Sequence, residues 1–143
     1  MRKTIFLILV LITQYCFAQI LNPVKWELSI VPLDTLEYEL VFTANIDENW
    51  AIYSQFLEEG GPLPTILSFE ASSLYESAGA PYEKPLNKVT RFDSVFEMIV
   101  TKFYKRAVFT KRVRIIEQTT FNFDVNIEYM TCDDTRCTYK PDN

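Results

Sequence analysis

The sequence predicts an all-β domain, an antiparallel β-sandwich of the immunoglobulin-like type. Apolar and polar residues alternate with period two along nearly the whole chain beyond its first 18 residues. Clusters of turn formers separate the alternating runs at short spacing. No stretch of useful length has a 3.6-residue period capped at both ends.

The strands can be taken in order. Trp26, Leu28 and Ile30 alternate with Glu27 and Ser29; Tyr38, Leu40, Phe42 and Ala44 alternate with Glu39, Val41, Thr43 and Asn45. Ile66 and Leu67 lead into Phe69, flanked by polar Ser68 and Glu70. Val95-Phe96-Glu97-Met98-Ile99-Val100 is more uniformly apolar and reads as a central strand covered on both faces. Val108 and Val113 frame a further strand that reaches Ile116. The clearest alternation is Phe121, Phe123, Val125, Ile127 and Tyr129 against Asn122, Asp124, Asn126 and Glu128.

The turns fall at Pro32-Leu33-Asp34, Asp47-Glu48-Asn49, Gly60-Gly61-Pro62 and Gly79-Ala80-Pro81. Residues 74–93 break the rhythm: Gly79, Pro81 and Pro85 interrupt Tyr75, Tyr82, Leu86 and Phe92, which follow no period. An excursion of that length is either a functional loop or a crossover between the sheets. Aromatics form 15% of the chain, enough to fill a core without a cofactor, and Trp26, Phe42, Phe121 and Phe123 read as core.

The first residues read as an export signal. Arg2 and Lys3 precede an apolar run over residues 4–13, and Cys16 and Ala18 have the spacing of small residues before a cleavage site. The run is shorter than the ~20 residues of a spanning helix. Thr13-Gln14-Tyr15 lacks the small residues expected before a lipid-modified cysteine. The expectation is a signal peptide over residues 1–18, then one domain over residues 19–143 with no membrane insertion of its own.

The formal charge is -5, and about -7 once Arg2 and Lys3 are removed. An acidic surface disfavours nucleic acid and anionic lipid as partners. The chain has no histidine, which excludes Ser-His-Asp and Cys-His catalysis, histidine metal ligation and imidazole acid–base steps. Its three glycines, Gly60, Gly61 and Gly79, cannot build a glycine-rich phosphate cradle. The adjacent acids Glu58-Glu59 and Asp133-Asp134 fall in expected loops, where neighbouring side chains diverge; Glu58-Glu59 reads as solvated.

The chemistry-bearing motif is Cys132-Asp133-Asp134-Thr135-Arg136-Cys137, the two cysteines remaining after signal removal. A strand ending at Cys132, a turn, and a strand starting at Cys137 would bring the pair to disulfide distance. Closing so short a loop stabilises a fold by about 2 kcal/mol on the chain-entropy model, modest for a domain with an ample core. A redox pair needs an accessible sulfur with nearby positive charge and a partner able to resolve a mixed disulfide. Arg136 beside Cys137 and the acids beside Cys132 point to Cys137 as the attacking sulfur and Cys132 as the resolving one. On these residues alone, structural clip and redox centre stand level. Two cysteines without histidine cannot fill a zinc tetrahedron, so no metal is expected.

Five blocks, in order and spacing, resemble the N-terminal periplasmic domain of DsbD-type thiol:disulfide interchange proteins. They are Pro23-Val24-Lys25-Trp26, Asn49-Trp50-Ala51-Ile52-Tyr53-Ser54-Gln55, Glu59-Gly60-Gly61-Pro62-Leu63-Pro64-Thr65, Phe92-Asp93-Ser94-Val95-Phe96-Glu97, and Glu128 through the cysteine motif. The resemblance implies an exported, periplasmic immunoglobulin-type sandwich with a reversible Cys132–Cys137 disulfide in a β-hairpin. It implies electron transfer from a membrane-embedded thiol transporter to periplasmic thioredoxin-like proteins, including disulfide isomerases and cytochrome c maturation factors. The activity would be of the protein-disulfide reductase type, by serial exchange with no bound cofactor.

By position, Cys137 would meet the partner and Tyr53 would be the aromatic near the cysteines. A shielding loop would lie over residues 82–90, with Tyr82, Pro85 and Leu86. The resemblance departs after Cys137, where the related domains carry a proline-containing segment and a further strand. Here Thr138-Tyr139-Lys140-Pro141-Asp142-Asn143 follows, which predicts an open sheet edge. The alternative from another class is an exported β-sandwich binding module whose disulfide is purely structural.

Overall fold

The computed structural model describes residues 21–142, all-β with no helix among them. The expected signal peptide over residues 1–18, with Cys16, lies outside the described residues. Among the described residues, eleven strands form two antiparallel sheets packed face to face, an immunoglobulin-like β-sandwich.

The first sheet has the order β1 (Val24–Pro32), β2 (Glu37–Ile46), β9 (Arg106–Ile115), β5 (Tyr75–Ser77), with β6 (Tyr82–Glu83) also on β9. The second has the order β11 (Cys137–Asp142), β10 (Val125–Cys132), β3 (Ala51–Tyr53), β8 (Met98–Tyr104), β7 (Lys88–Asp93), and β4 (Ile66–Phe69) pairs with β10 beside β3.

The period-two alternation sets the faces. Leu40, Phe42 and Ala44 of β2 and Ala107, Phe109 and Val113 of β9 point inward. Ile52, Phe103, Ile127 and Tyr129 meet them from the second sheet. Phe103 and Phe109 meet edge to face at 5.5 Å, and Trp26 packs on Phe109 at 5.8 Å and Tyr129 at 5.5 Å. Phe42 is buried, Trp26 and Phe123 are half-buried at the core's rim, and Phe121 is half-buried against Tyr75 and Phe123.

Left-handed residues stand in three connections between the sheets, among them Asn87 (φ 55°) between β6 and β7. Asn49 (φ 67°) ends the turn from β2 to β3, where Trp50 N–H donates to Asp47 C=O at 3.1 Å. Lys105 (φ 63°) is the entire connection from β8 to β9, and its carbonyl accepts from Ile46 N–H at 2.8 Å.

The strand expected over residues 95–100 is in part a hairpin turn. Strand β8 begins at Met98, with Asp93 opposite Met98 and Phe92 opposite Ile99. Asp93 Oδ1 accepts from the N–H groups of Val95 (2.9 Å) and Phe96 (3.4 Å), an Asx turn, and Glu97 takes φ 54°. Val95 is consequently 79% exposed rather than central.

Likewise the strand expected from Phe121 starts at Val125, where β4 first pairs with it. Phe121 and Phe123 instead pack on Tyr75 at 5.8 and 4.8 Å. Residues 74–93 hold three short strands that their mixed composition concealed. The chain after Cys137 does form a strand, β11, paired with β10 from Cys132↔Cys137 to Ile127↔Asp142.

Phe103 is fully buried, so Phe103→Ala removes a ring that the core cannot refill. It is expected to destabilise the fold by about 3–5 kcal/mol, read from the denaturant midpoint at unchanged slope.

Candidate functional site: a hairpin disulfide on the outer face of the second sheet

Strand β10 alternates Ile127, Tyr129 and Thr131 toward the core with Glu128, Met130 and Cys132 on the opposite face. Cys132 pairs with Ala51 on one side and Cys137 on the other, while Thr131 pairs with Ile52. Thr131 is fully buried, and its Oγ1 donates to Ala51 C=O at 3.0 Å, fixing this register. Cys132 and Cys137 form a disulfide with their Cα atoms 4.1 Å apart.

The two sulfurs have different surroundings. Cys132 is 5% exposed; Cys137 lies on the exposed side of the hairpin. Cys132 belongs to a second apolar cluster with Tyr53 and Val100, covered by Leu57, Phe96, Met98 and Met130. The Tyr53 hydroxyl donates to Cys132 Sγ at 3.3 Å, and Phe96 meets the Tyr53 ring edge-on at 6.1 Å. Gly61, in the loop after β3, packs directly on the Met98 thioether, which would have to swing aside for any side chain there.

Tyr53 is held from several directions. Thr65 Oγ1 donates to its carbonyl at 2.6 Å, and Ser54 N–H donates to Thr101 C=O at 3.0 Å. The buried Glu83 carboxylate accepts from Ser54 Oγ (2.9 Å), Gln55 N–H (2.5 Å) and the Lys88 ammonium (2.9 Å). Hydrogen bonds to a charged group contribute about 1.5–3 kcal/mol each, which offsets the burial of this carboxylate. Lys102, directly opposite Tyr53 across β3 and β8, stands 5.2 Å over its ring and pairs with Asp93 at 2.5 Å.

Electrostatics follow this packing. Burial pushes the Tyr53 hydroxyl above its ordinary value, with Lys102 opposing. Burial would also raise the Asp93 carboxyl, but the hydrogen bond from Lys102 and the two turn N–H groups hold it below the usual range.

At the hairpin turn, Asp133 Oδ1 accepts from Thr135 N–H (2.8 Å), Thr135 Oγ1 (2.8 Å) and Arg136 N–H (2.9 Å). Its other oxygen accepts from Arg136 Nε at 3.2 Å, and the Arg136 guanidinium lies 5.5 Å over Trp50. Arg136 and the acid nearest Cys132 therefore neutralise one another. The charge asymmetry expected from sequence is replaced by an asymmetry of burial.

Of the residues singled out by sequence, Cys132, Cys137 and Tyr53 come together, and Arg136 stands at the turn. Tyr82, Pro85 and Leu86 are exposed, and Tyr82 pairs with Thr110 on the first sheet. The cover over Cys132 comes instead from the β7–β8 turn with Phe96 and Met98, and from Leu57. The only legible signal for that turn was Asp93-Ser94 within the Phe92-Asp93-Ser94-Val95-Phe96-Glu97 block. Lys102 gave none, because its place beside Tyr53 depends on strand register. Among the described residues, no three Cys, Asp or Glu side chains converge as a metal-ligand group.

The turn hydrogen bonds of Thr135 and Arg136 hold the Asp133 carboxyl at about 2. A depressed folded value contributes stability above the unfolded value of ~3.9 and loses it as pH falls toward about 2. Amide protection at Thr135 and Arg136 is therefore expected to persist at pH 5 and to fall between about pH 4 and 2, and in Asp133→Ala to be low throughout.

No family model and no curated protein matches the sequence. Two solved structures resemble the fold. One is the N-terminal periplasmic domain of ScsB from Proteus mirabilis, with TM-score 0.60 and 14% identity, covering 91% of this chain and 48% of that one. The other is the N-terminal domain of Neisseria meningitidis DsbD in the reduced form, with TM-score 0.50 and 12% identity, covering 86% of this chain and 87% of that one. The chain thus spans about half the length of the ScsB domain. Its structural neighbours are the N-terminal periplasmic domains of ScsB and DsbD, and the fold it shares with them is an immunoglobulin-like sandwich.

Proposed function

We propose that this chain is a periplasmic thiol–disulfide exchange domain working through Cys132 and Cys137. The observation that carries the reading is the unequal setting of one short-range disulfide: Cys137 open to a partner, Cys132 buried against the Tyr53 hydroxyl. A clip within a single hairpin adds about 2 kcal/mol to a sandwich that already has a full core. Exchange chemistry, in contrast, needs one sulfur that a partner can reach and one that can resolve the mixed disulfide. The fold shared with the ScsB and DsbD domains supports the same reading.

On this proposal residues 1–18 are an export signal and residues 19–143 the working domain. Electrons pass from a membrane-embedded thiol transporter to thioredoxin-like proteins, with Cys137 meeting each partner and Cys132 resolving. Phe96, Met98 and Leu57 limit access to the buried sulfur.

A second reading draws on a different surface. A cleft of about 750 Å³ opens between β1, β4 and β10, lined by Trp26, Leu28, Phe42, Phe69 and Val125, among others. It favours an exported binding module with an inert disulfide.

The equilibrium potential of the pair, measured by thiol trapping in glutathione or dithiothreitol buffers, separates the two. Rapid equilibration within the range of exchange proteins is expected; a value below about -300 mV with slow exchange overturns the exchange reading. Cys132→Ser is expected to retain a thioredoxin-like partner as a mixed disulfide through Cys137, where an inert clip would retain none. Phe96→Ala is expected to speed reduction by dithiothreitol several-fold while Leu86→Ala leaves it unchanged; the reverse would return the shield to residues 82–90.

A further inference from the structure

Reduction of a disulfide leaves an electron pair on whichever sulfur departs, so the surroundings of that sulfur matter as much as those of the sulfur attacked. A dithiol partner's thiolate attacks Cys137 Sγ; the Cys137–Cys132 bond breaks, and its electron pair leaves on Cys132. The partner's second thiol loses its proton to water and attacks the mixed disulfide, releasing Cys137 as a thiolate. The partner is oxidised by two electrons, and the two domain sulfurs take protons from solvent according to pH. The first of these steps puts negative charge on the sulfur of a buried residue, Cys132, where hydration supports it poorly.

The charged and titratable groups around Cys132 are few. Asp133 and Arg136 on its own hairpin are paired with each other. From β3, Tyr53 donates its hydroxyl to Cys132 Sγ at 3.3 Å. From β8, Lys102 stands 5.2 Å over that same ring, its side chain only 14% exposed, with Tyr104 beyond it. From β7, Asp93 holds Lys102 at 2.5 Å, its own side chain 11% exposed. An ammonium is thus set behind the phenol that contacts the departing sulfur, and a carboxylate restrains it. Asp93 also shapes the turn that carries Phe96 over Tyr53.

Resting on the exchange reading, we propose that Lys102 is a positioning residue for that reaction. It acts through Tyr53 to support negative charge on the departing Cys132 sulfur, and Asp93 moderates its effect. A cation above a phenol ring makes the hydroxyl a stronger donor, and the low-dielectric cluster leaves that influence little screened.

Charge and structure make opposite forecasts for two variants. Lys102→Met removes the cation and leaves Asp93 uncompensated near the sulfur. Asp93→Asn keeps an oxygen to accept from Val95 and Phe96, so the turn survives and Lys102 is released toward Tyr53. If the pair only braced the turn, both variants would loosen the cover and both would speed reduction.

The experiment is the rate of reduction of the oxidised full-length chain by dithiothreitol at fixed pH, with folding checked by the denaturant midpoint. Lys102→Met is expected to slow the reaction about tenfold, Asp93→Asn to speed it, and Lys102→Arg to restore it. In a Tyr53→Phe background the effect of Lys102→Met should largely vanish. Wild-type exchange with both variants moving the rate in one direction, or neither moving it, overturns the role of Lys102. If Lys102→Met fails to fold, an unchanged or slower rate in Asp93→Asn overturns the proposal equally. Sluggish exchange by the wild type overturns the exchange reading itself.

Discussion

The register of β10 is the constraint on which the rest of the site depends. That strand pairs with β11 along one edge and with β4 and β3 in succession along the other. Side chains alternate strictly, so a slip of one residue would turn Cys132 into the core and Thr131 out of it. Tyr129 and Ile127, packed into the main core, and Thr131, bonded to Ala51, make such a slip costly. With the register held, Cys132 emerges on the outer face beside Ala51, two residues along β3 from Tyr53 and so on the same face. The large inner core thereby sets the geometry of a small outer one.

That outer cluster is a local exception to the sandwich plan. The face away from the core would ordinarily be polar, yet Tyr53, Val100 and Cys132 are nearly closed to water there. Two excursions of the chain provide the cover. The loop after β3 brings Leu57 and presents Gly61 to Met98, and the β7–β8 turn brings Phe96. Both are secured by carboxylates: Glu83 gathers Ser54, Gln55 and Lys88 at the start of one, and Asp93 gathers Val95, Phe96 and Lys102 at the base of the other. Such buried charges are tolerable only because each is paired and hydrogen-bonded.

The hairpin turn shows how sequence neighbours can mislead about electrostatics. Read along the chain, Arg136 belongs to Cys137 and Asp133 to Cys132. Folded, the turn is only Asp134 and Thr135 wide, and Asp133 and Arg136 face each other across it. They meet at 3.2 Å, with Trp50 beneath the guanidinium. What distinguishes the sulfurs is their access to water, and the hydroxyl that one of them meets.

The sequence by itself determined the class of fold, because period-two alternation between turn formers is a local property of strands. It also determined that Cys132 and Cys137 could meet, since a strand, a turn over Asp133-Asp134-Thr135-Arg136 and a returning strand leave them opposite one another. The alternation named the faces correctly around Leu40, Phe42, Ile127 and Tyr129. It failed at residues 95–97, which form a turn: Phe96 covers the outer cluster there, while Val95 is left exposed. Only the tertiary structure decided which sulfur is buried, that Phe96 packs on its cluster while Leu86 is exposed, and that Lys102 stands over Tyr53. Each of these depends on registers between segments that lie far apart in the chain. A two-residue period says that side chains alternate, but not which strand, or which residue of it, lies opposite.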